Sequence, residues 1–238
     1  MRRTLAQIAA EHDTDKHQSG YIERYARLLE PLRDQPIRML EMGVFRGGSL
    51  SMWSEYFPHG TIVGLDLSPN PLSRMPDRTH FVQGSQDDTA LLDRIGDEFA
   101  PDGFDIVIDD AAHIGTVART SFLNLFPHHL KPGGLYVLED WGTGYWPSWP
   151  GGAMFRNRRQ EIQALAQQTV GPDGYPAVDP NFTCHNFGMV GLVKELVDEV
   201  AWNDICSPRG NPETEPRASA ITEMSVSLGL VVMRKAMV

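Results

Sequence analysis

Residues 37 to 57, IRMLEMGVFRGGSLSMWSEYF, combine three local signals in one continuous run. The run begins with a short, mostly apolar segment that predicts a buried strand and carries one acid, Glu41. A turn with three glycines follows, and residues 49 to 57 then place apolar side chains on one face of a predicted helix. A strand, a glycine turn and a helix in this order are typical of the start of a doubly wound α/β fold.

Further apolar segments alternate with amphipathic helical segments downstream of this unit, and they read TIVGLDL, HFVQ, FDIVIDD and LYVLED. The C-terminal run AITEMSVSLGLVVMRKAMV predicts two extended segments broken near Gly229. We therefore predict an α/β protein with a Rossmann-like, doubly wound sheet, mostly parallel, and a C-terminal antiparallel β-hairpin. Residues 1–36 are predicted to form an N-terminal helical cap or lid, and 37–238 a single globular domain. A helix is also expected over residues 154–168.

Charge and composition exclude several classes of function. The chain of 238 residues has 31 acidic and 21 basic side chains, a formal net charge of −10. Such an excess of acids disfavours binding to a nucleic-acid backbone. No apolar run approaches the roughly 18 residues of a membrane span, and none of signal-peptide length follows the basic N-terminus, so we expect a cytoplasmic protein. Neither cysteine lies in a CxxC motif, which disfavours a structural zinc site or a disulfide framework.

Acids follow the predicted strands at the point where each strand ends. Any single one could cap the next helix. Because ligands of open parallel sheets bind beyond the carboxyl ends of the strands, six acids at one edge indicate a binding site instead. The six are Glu41, Asp66, Asp109, Asp110, Glu139 and Asp140.

The glycine turn and its neighbours predict the kind of cofactor. The turn lacks the GxGxxG spacing of dinucleotide sites, and Glu41 inside the strand disfavours an anionic diphosphate. Asp66, at the end of the second strand, can accept both hydroxyls of a ribose. A ligand with a ribose, positive groups and no diphosphate suggests S-adenosylmethionine. Ser85 and Gln86 follow the third strand and could bind its adenine, although an exposed turn would also explain them.

A metal site with an adjacent base is predicted from the remaining acids. Asp110, Glu139 and Asp140 offer hard oxygen ligands that suit Mg²⁺ or another oxygen-preferring divalent cation. Such a cation also removes the repulsion among clustered carboxylates. His113 follows Asp110 by three residues and could take a proton from a metal-bound hydroxyl. The alternative is that His113 merely packs or caps at the start of a helix. Asp109 is expected to face inward and support this loop or the methyl end of the cofactor.

Several motifs resemble those of the class I, metal-dependent sugar O-methyltransferases of natural-product biosynthesis, of the mycinamicin VI 2''-O-methyltransferase and rhamnosyl O-methyltransferase types. They are HDTDKHQSGYIERY, LEMGVFRGGSL, VGLDL, FDIVIDDAAH, LFPHHLKPGGLYVLED and TGYWPSWPGG. The resemblance covers roughly residues 12 to 150 and is looser beyond them. Where relatives commonly have DGSH, this chain has DAAH, so the hydrogen bonds around the loop are in question.

The resemblance implies a class I methyltransferase domain over 37–238, with a role for each candidate residue. Asp110, Glu139 and Asp140 would bind Mg²⁺, and His113 would be the general base. Thr14 and Lys16 would close over the cofactor or substrate. The residues implied to hold S-adenosylmethionine are Glu41, Gly43, Ser49, Asp66, Ser85 and Gln86.

The expected activity is Mg²⁺-dependent transfer of the methyl group of S-adenosylmethionine to a sugar hydroxyl. The acceptor would be a small, glycosylated natural product of antibiotic tailoring, and the enzyme is expected to be a homo-oligomer. Two alternatives remain open at this point. One is an oxygenase component like cephalosporin hydroxylase on the same scaffold, and the other is a non-catalytic S-adenosylmethionine-binding domain.

Overall fold

The computed structural model describes residues 2–17, 19–154, 187–207, 209–210 and 213–237. Their centre is a seven-stranded sheet with the strand order β3-β2-β1-β4-β5-β7-β6. Strands β1 to β5 are parallel, and β7 and β6 add an antiparallel hairpin beside β5. The strands are β1 (Arg38–Met42), β2 (Thr61–Asp66), β3 (Thr79–Gln83), β4 (Phe104–Asp109), β5 (Leu130–Glu139), β6 (Ile221–Val226) and β7 (Leu230–Lys235). The predicted sheet and terminal hairpin are confirmed.

Helices cover both faces of this sheet. They are α1 (Leu5–Ala9), α2 (Ile22–Leu29), α3 (Gly48–Tyr56), α4 (Thr89–Phe99), α5 (Gly115–His128), α6 (Gly188–Val200) and α7 (Trp202–Ile205). Short 3₁₀ turns lie at Asp15–His17, Glu30–Leu32 and Trp141–Tyr145. Beyond its first residue, the helix predicted over 154–168 lies outside the described residues. Within the described ranges, no helix has the length and apolar character needed to cross a membrane.

The core has two layers because successive side chains of a strand point to opposite faces of the sheet. In β4, Val107 packs with α4, α5 and α6, whereas Ile106 and Ile108 pack on the other face with α1, α2 and α3. The second layer includes buried residues of α1 and α2, such as Leu5 and Tyr25. The buried faces of α1 and α2 are therefore part of the core, and the predicted division of the chain at residue 36 stays a prediction.

The order of the strands decides where the acids gather. The chain winds outward from β1 through β2 to β3, then returns to place β4 on the other side of β1. Ligands of open α/β sheets bind at this reversal. Met42 pairs with Asp109, and the amide of Asp110 donates to the carbonyl of Met42 over 2.9 Å. The loops that follow β1 and β4 therefore start side by side.

Gly43 allows these two loops to approach each other. Its φ is +89°, in the left-handed region that favours glycine. A Cβ atom at this position would lie 2.0 Å from the carbonyl oxygen of Asp110, which is backbone and cannot easily move. The close contact between the glycine turn and the Asp110 loop therefore requires glycine here.

We expect Gly43→Ala to lower the free energy of unfolding by more than about 1–2 kcal/mol, the usual cost of a left-handed conformation for an L-residue, because the clash with Asp110 adds to it. Denaturant unfolding measures the change. Gly142→Ala is the matched control, since no atom lies within 4 Å of its added Cβ. Equal effects of the two substitutions would contradict this account of the loop contact.

Candidate active site

A cleft of about 770 Å³ opens beyond the carboxyl ends of the parallel strands. Small-ligand sites in proteins commonly measure ~300–1,000 Å³. Nine of the thirteen residues predicted for the site line the cleft, namely Thr14, Gly43, Ser49, Asp66, Ser85, Gln86, Asp110, His113 and Asp140. Candidates for binding a cofactor, for holding a metal and for taking a proton thus share one surface.

The other four candidates lie beneath this surface. Lys16, Glu41, Asp109 and Glu139 are each at most 2% exposed. Buried charges are costly unless they are paired or hydrogen-bonded. The contacts that satisfy these four side chains therefore explain how the cleft keeps its shape.

Lys16 is the centre of the buried charges. Its Nζ atom donates to Asp110 Oδ2 over 2.6 Å and to Glu139 Oε1 over 2.8 Å, and it lies 3.3 Å from Glu41 Oε1. Burial disfavours the charged ammonium, but the three surrounding carboxylates outweigh it and raise the pKa of Lys16 well above its usual value. The predicted position of Lys16 over a ligand differs from what is observed, since the side chain lies under the floor of the cleft.

Glu41 is hydrogen-bonded from more than one side. Ser49 Oγ donates to its Oε2 over 2.7 Å, and Trp53 Nε1 donates to its Oε1 over 3.2 Å. Trp53 is fully buried in α3. Through Lys16, Glu41 connects the start of α3 to the acids at the ends of β4 and β5. Its binding of a cofactor stays a prediction.

Burial raises the pKa of both carboxylates that Lys16 contacts most closely. The pKa of Asp110 rises to about 6, although the Lys16 ammonium opposes the change. The pKa of Glu139 rises to about 8 because burial and the charge of Asp110 outweigh the hydrogen bonds from Lys16 and Tyr25. One ammonium is therefore too little positive charge for the acids around it.

Three side chains at the cleft could hold a cation together. Asp110, His113 and Asp140 each offer a ligand atom, and these atoms lie within 4.8 Å of one another. His113 Nε2 is 3.9 Å from Asp110 Oδ1 and 3.7 Å from Asp140 Oδ2. Three carboxylates, those of Glu41, Asp110 and Glu139, lie within 3.3 Å of the Lys16 ammonium, a formal excess of two negative charges when all three are ionised. A divalent cation fits both the geometry and the charge.

Glu139 has a different environment from the two aspartates. Its Oε1 atom accepts hydrogen bonds from Lys16 Nζ and from the hydroxyl of Tyr25. Unlike the two aspartates, Glu139 does not line the cleft. Its role as a metal ligand stays a prediction.

The loops that carry His113 and Asp140 are held in uncommon conformations. Both residues have positive φ values, +50° and +52°, which are uncommon outside glycine, although aspartate and histidine adopt them more often than most residues. Thr143 Oγ1 donates to the carbonyl of His113 over 3.3 Å, and Tyr21 donates to Asp140. Such strain often occurs at functional sites, where the surrounding contacts maintain it.

Trp149 forms one wall of the cleft beside His113. The two ring centroids are 6.2 Å apart, and the indole Nε1 donates to the carbonyl of Ala112 over 3.4 Å. The loop after β5 therefore contributes at least one aromatic ring to the surface next to the histidine.

Asp66 closes the glycine turn from the end of β2. Its Oδ2 accepts from the amides of Val44 and Phe45 over 2.8 and 3.0 Å, and its Oδ1 accepts from the amide of Ser68 over 2.8 Å. Burial opposes the charge of this carboxylate, but the backbone hydrogen bonds prevail and lower the pKa of Asp66. An ionised acid lines the cleft beside the glycine turn, where the ribose site was predicted.

Gln86, in the loop that follows β3, is hydrogen-bonded to the loop that carries His113. Its Nε2 donates to both oxygens of Asp109 over 2.9 and 3.1 Å, and its Oε1 accepts from the amide of Ala112 over 2.8 Å. Ser121 also donates to Asp109 over 3.2 Å. Asp109 thus faces inward, as expected, and supports the loop from below. Ser85 donates instead to the neighbouring Asp87 at the cleft wall.

Tyr21, Tyr25, Trp53 and Ser121 take part in this network but were not predicted from the sequence. The two tyrosines occupy apolar positions of an amphipathic segment, and Trp53 is on the buried face of α3. Their spacing is that of ordinary core residues. The only signal in the sequence for a hydrogen-bonding role was the presence of a hydroxyl or indole N–H on each side chain.

The chain has close relatives among curated proteins. Mycinamicin VI 2''-O-methyltransferase of Micromonospora griseorubida is 42% identical over 221 residues, which are 87% of this chain and 47% of that protein. A second relative, 8-demethyl-8-(2-methoxy-alpha-L-rhamnosyl)-tetracenomycin-C 3'-O-methyltransferase of Streptomyces olivaceus, is 42% identical over 161 residues, or 64% of this chain and 40% of that protein. This chain is a homologue of the sugar O-methyltransferases. The predicted resemblance is confirmed.

A solved structure identifies the fold of this sugar O-methyltransferase homologue. The MycE methyltransferase of the mycinamycin biosynthetic pathway, determined in complex with Mg and SAH, is 32% identical and matches with a TM-score of 0.75. The match covers 99% of this chain and 55% of that one. The fold is therefore the predicted class I methyltransferase fold. The chain spans about half the length of the curated relatives it matches, and no protein-family model matches it.

When no metal is bound, we expect the free energy of unfolding of this protein to fall as pH rises from about 4 to about 8. Asp110 and Glu139, with pKa values of about 6 and about 8, keep protons in the folded protein that carboxyls of the unfolded chain lose near pH 4. The unfolded state then binds fewer protons, so stability decreases with pH.

Denaturant unfolding in a chelating buffer at several pH values measures this slope. Glu139→Gln should reduce the slope because the amide does not titrate, whereas Glu98→Gln, on the exposed side of α4, should leave it unchanged. A stability that rises across this window would contradict the assigned pKa directions.

We expect Gln86→Leu to lower the free energy of unfolding by about 2 kcal/mol or more, because it removes two hydrogen bonds to the buried Asp109 carboxylate and the acceptor of the Ala112 amide. Thermal and denaturant unfolding measure the loss. Gln83→Leu is the control, since Gln83 is exposed and makes one hydrogen bond to the carbonyl of Leu67. Similar losses for both variants would mean that the Gln86 network does not support the loop.

Proposed function

We propose that this protein is a Mg²⁺-dependent O-methyltransferase that moves the methyl group of S-adenosylmethionine to a sugar hydroxyl of a glycosylated natural product. The observation that carries the proposal is the convergence of Asp110, His113 and Asp140 at the edge of a class I methyltransferase cleft. The 42% sequence identity with sugar O-methyltransferases of macrolide and tetracenomycin pathways supports the proposal. So does the structure of MycE in complex with Mg, SAH and mycinamycin VI.

The cofactor would occupy the part of the cleft next to the glycine turn. Gly43 and Ser49 lie at the start of this part, Asp66 at its side, and Ser85 and Gln86 at the opposite wall. The Asp66 carboxylate is the group best suited to the ribose hydroxyls. The excess negative charge at this edge suits the sulfonium and ammonium of S-adenosylmethionine. Thr14 lines the same cleft and would contact the cofactor or the acceptor.

Asp110 and Asp140 would hold the cation, with Glu139 as the further predicted ligand. The cation would supply acidification of a bound hydroxyl. We assign His113 to proton transfer, since Mg²⁺ prefers oxygen ligands to imidazole nitrogen. This assignment uses His113 Nε2, which faces Asp110 and Asp140.

The proposed methyl transfer needs no reactant besides S-adenosylmethionine and the acceptor. His113 Nε2 takes the proton of the acceptor hydroxyl, and the nearby carboxylates stabilise the imidazolium that results. The oxygen attacks the methyl carbon in line, an O–C bond forms, and the S–C bond breaks with its electron pair going to sulfur. The cleft contributes by holding both reactants in this geometry. Trp149 would place the acceptor against His113.

The acceptor itself, a homo-oligomeric state and a cytoplasmic location remain proposals. Mycinamicin VI and rhamnosyl tetracenomycin C are the first acceptors to test, because the names of the relatives point to them. Light scattering in solution would test for the oligomer.

We expect His113→Ala to lower the rate of methyl transfer by at least about 10²-fold, the usual contribution of a positioned general base. Transfer of labelled methyl from S-adenosylmethionine to these acceptors measures the rate, and calorimetry should show binding of S-adenosylmethionine unchanged within about twofold. His128→Ala, at the exposed end of α5, is the control. Full activity of His113→Ala would overturn the role of the base, and absence of S-adenosylmethionine binding by the unaltered protein would overturn the proposed function.

A further inference from the structure

Three side chains of the N-terminal segment contact the three acids of the predicted metal site, Asp110, Glu139 and Asp140. Lys16 Nζ donates to Asp110 and Glu139, the hydroxyl of Tyr25 donates to Glu139, and the hydroxyl of Tyr21 donates to Asp140. None of these donors is more than 5% exposed. Each acid of the predicted metal site therefore has a partner from one short segment that precedes the sheet.

We propose that Lys16, Tyr21 and Tyr25 form an N-terminal clamp that positions the acids of the metal site for a divalent cation. The proposal rests on the proposed function, because it assumes that these acids bind the cation. It assigns positioning roles to two tyrosines and moves Lys16 from the ligand side of the cleft to the support beneath it.

The two carboxylate oxygens of each aspartate have different partners. Lys16 binds Asp110 through Oδ2, whereas Oδ1 faces His113 at 3.9 Å. Tyr21 binds Asp140 through Oδ1, whereas Oδ2 faces His113 at 3.7 Å. In both residues the clamp holds one oxygen, and the other points toward the place where a cation would be bound. Outer partners that orient ligating carboxylates in this way tune metal affinity in many proteins.

The clamp is itself held by packing in the core. Tyr25 meets Trp53 edge to face, with ring centroids 5.2 Å apart and planes at 72°. Trp53 in turn donates to Glu41, which also contacts Lys16. This arrangement restricts the hydroxyl of Tyr25 and the ammonium of Lys16 to one position each, as a positioning role requires.

Tyr21 reaches Asp140 through a gap left by Gly229 at the turn between β6 and β7. A Cβ atom on Gly229 would lie 2.0 Å from the Tyr21 hydroxyl oxygen, and its φ of +77° also favours glycine. The carbonyl of Gly229 accepts from the amide of Asp140 over 2.8 Å. The terminal hairpin thus supports the same aspartate that the clamp binds.

A purely structural role would predict a different outcome from a positioning role. If the donors only neutralise buried acids, their removal should change stability and leave cation affinity unaltered. If they aim the carboxylates, their removal should weaken cation binding beyond any change in stability. Tyrosine-to-phenylalanine variants separate the two, since they keep the ring and remove only the hydroxyl.

The test measures Mn²⁺ binding by calorimetry and by the electron paramagnetic resonance spectrum of bound Mn²⁺, without acceptor or turnover. We expect Tyr21→Phe and Tyr25→Phe each to raise the dissociation constant by about tenfold or more, with an altered spectrum. Tyr56→Phe is the matched control, because the Tyr56 ring is also buried and its hydroxyl donates to a carboxylate, that of Glu30, away from the cleft. It should change the constant by less than twofold.

Lys16→Arg and Lys16→Met extend the test, and unfolding is measured on every variant without metal. Arginine keeps the charge but alters its geometry, so we expect weakened binding in a folded protein. Where Lys16→Met does not fold, the tyrosine variants still decide the outcome. Mn²⁺ binding equal to that of the unaltered protein in both tyrosine variants would overturn the clamp and leave the proposed function standing. An unaltered protein that binds neither Mn²⁺ nor Mg²⁺ would overturn both.

Discussion

The buried contact between the Lys16 ammonium and the carboxylates of Glu41, Asp110 and Glu139 is the interaction on which the rest of the site depends. An unpaired charge in the interior is penalised by several kcal/mol. The Lys16 ammonium offsets part of this penalty, although burial still raises the pKa of Asp110 and Glu139. Lys16 precedes the sheet by more than twenty residues, and it reaches the acids only when α1 and α2 pack on the sheet. The contacts that assemble the site therefore require the N-terminal segment to be packed on the sheet.

A second constraint is the number of charges that remain. One ammonium does not balance the acids around the strand ends. Burial raises the pKa of Asp110 and Glu139, and the charge of Asp110 raises that of Glu139 further. A divalent cation and a positively charged cofactor would both be attracted to such an edge. The charge of the site therefore favours positively charged ligands. Gly43 allows the loops after β1 and β4 to come close enough to line one cleft.

The cleft has a polar lining above a hydrogen-bonded support. Gln86 and Ser121 hold Asp109 beneath the loop of His113, and Thr143 holds the carbonyl of His113 itself. These contacts maintain the positive φ of His113, which an unsupported loop would relax. In the DAAH loop of this chain, the side-chain oxygen of Gln86 accepts from the backbone amide of Ala112.

The sequence by itself determined the fold class, the edge of the sheet at which the acids meet, and nine of the residues that line the cleft. It could do so because strand alternation and the positions of acids after strands are local patterns, and parallel strands carry their ends to one edge. Only the tertiary structure decided which carboxylate oxygen faces the cleft, that Lys16 lies beneath it, and that Tyr21 and Tyr25 bind acids. The physical reason is that these hydrogen bonds join residues separated by 94 to 123 positions, and no local periodicity encodes the direction in which a buried side chain finds its partner.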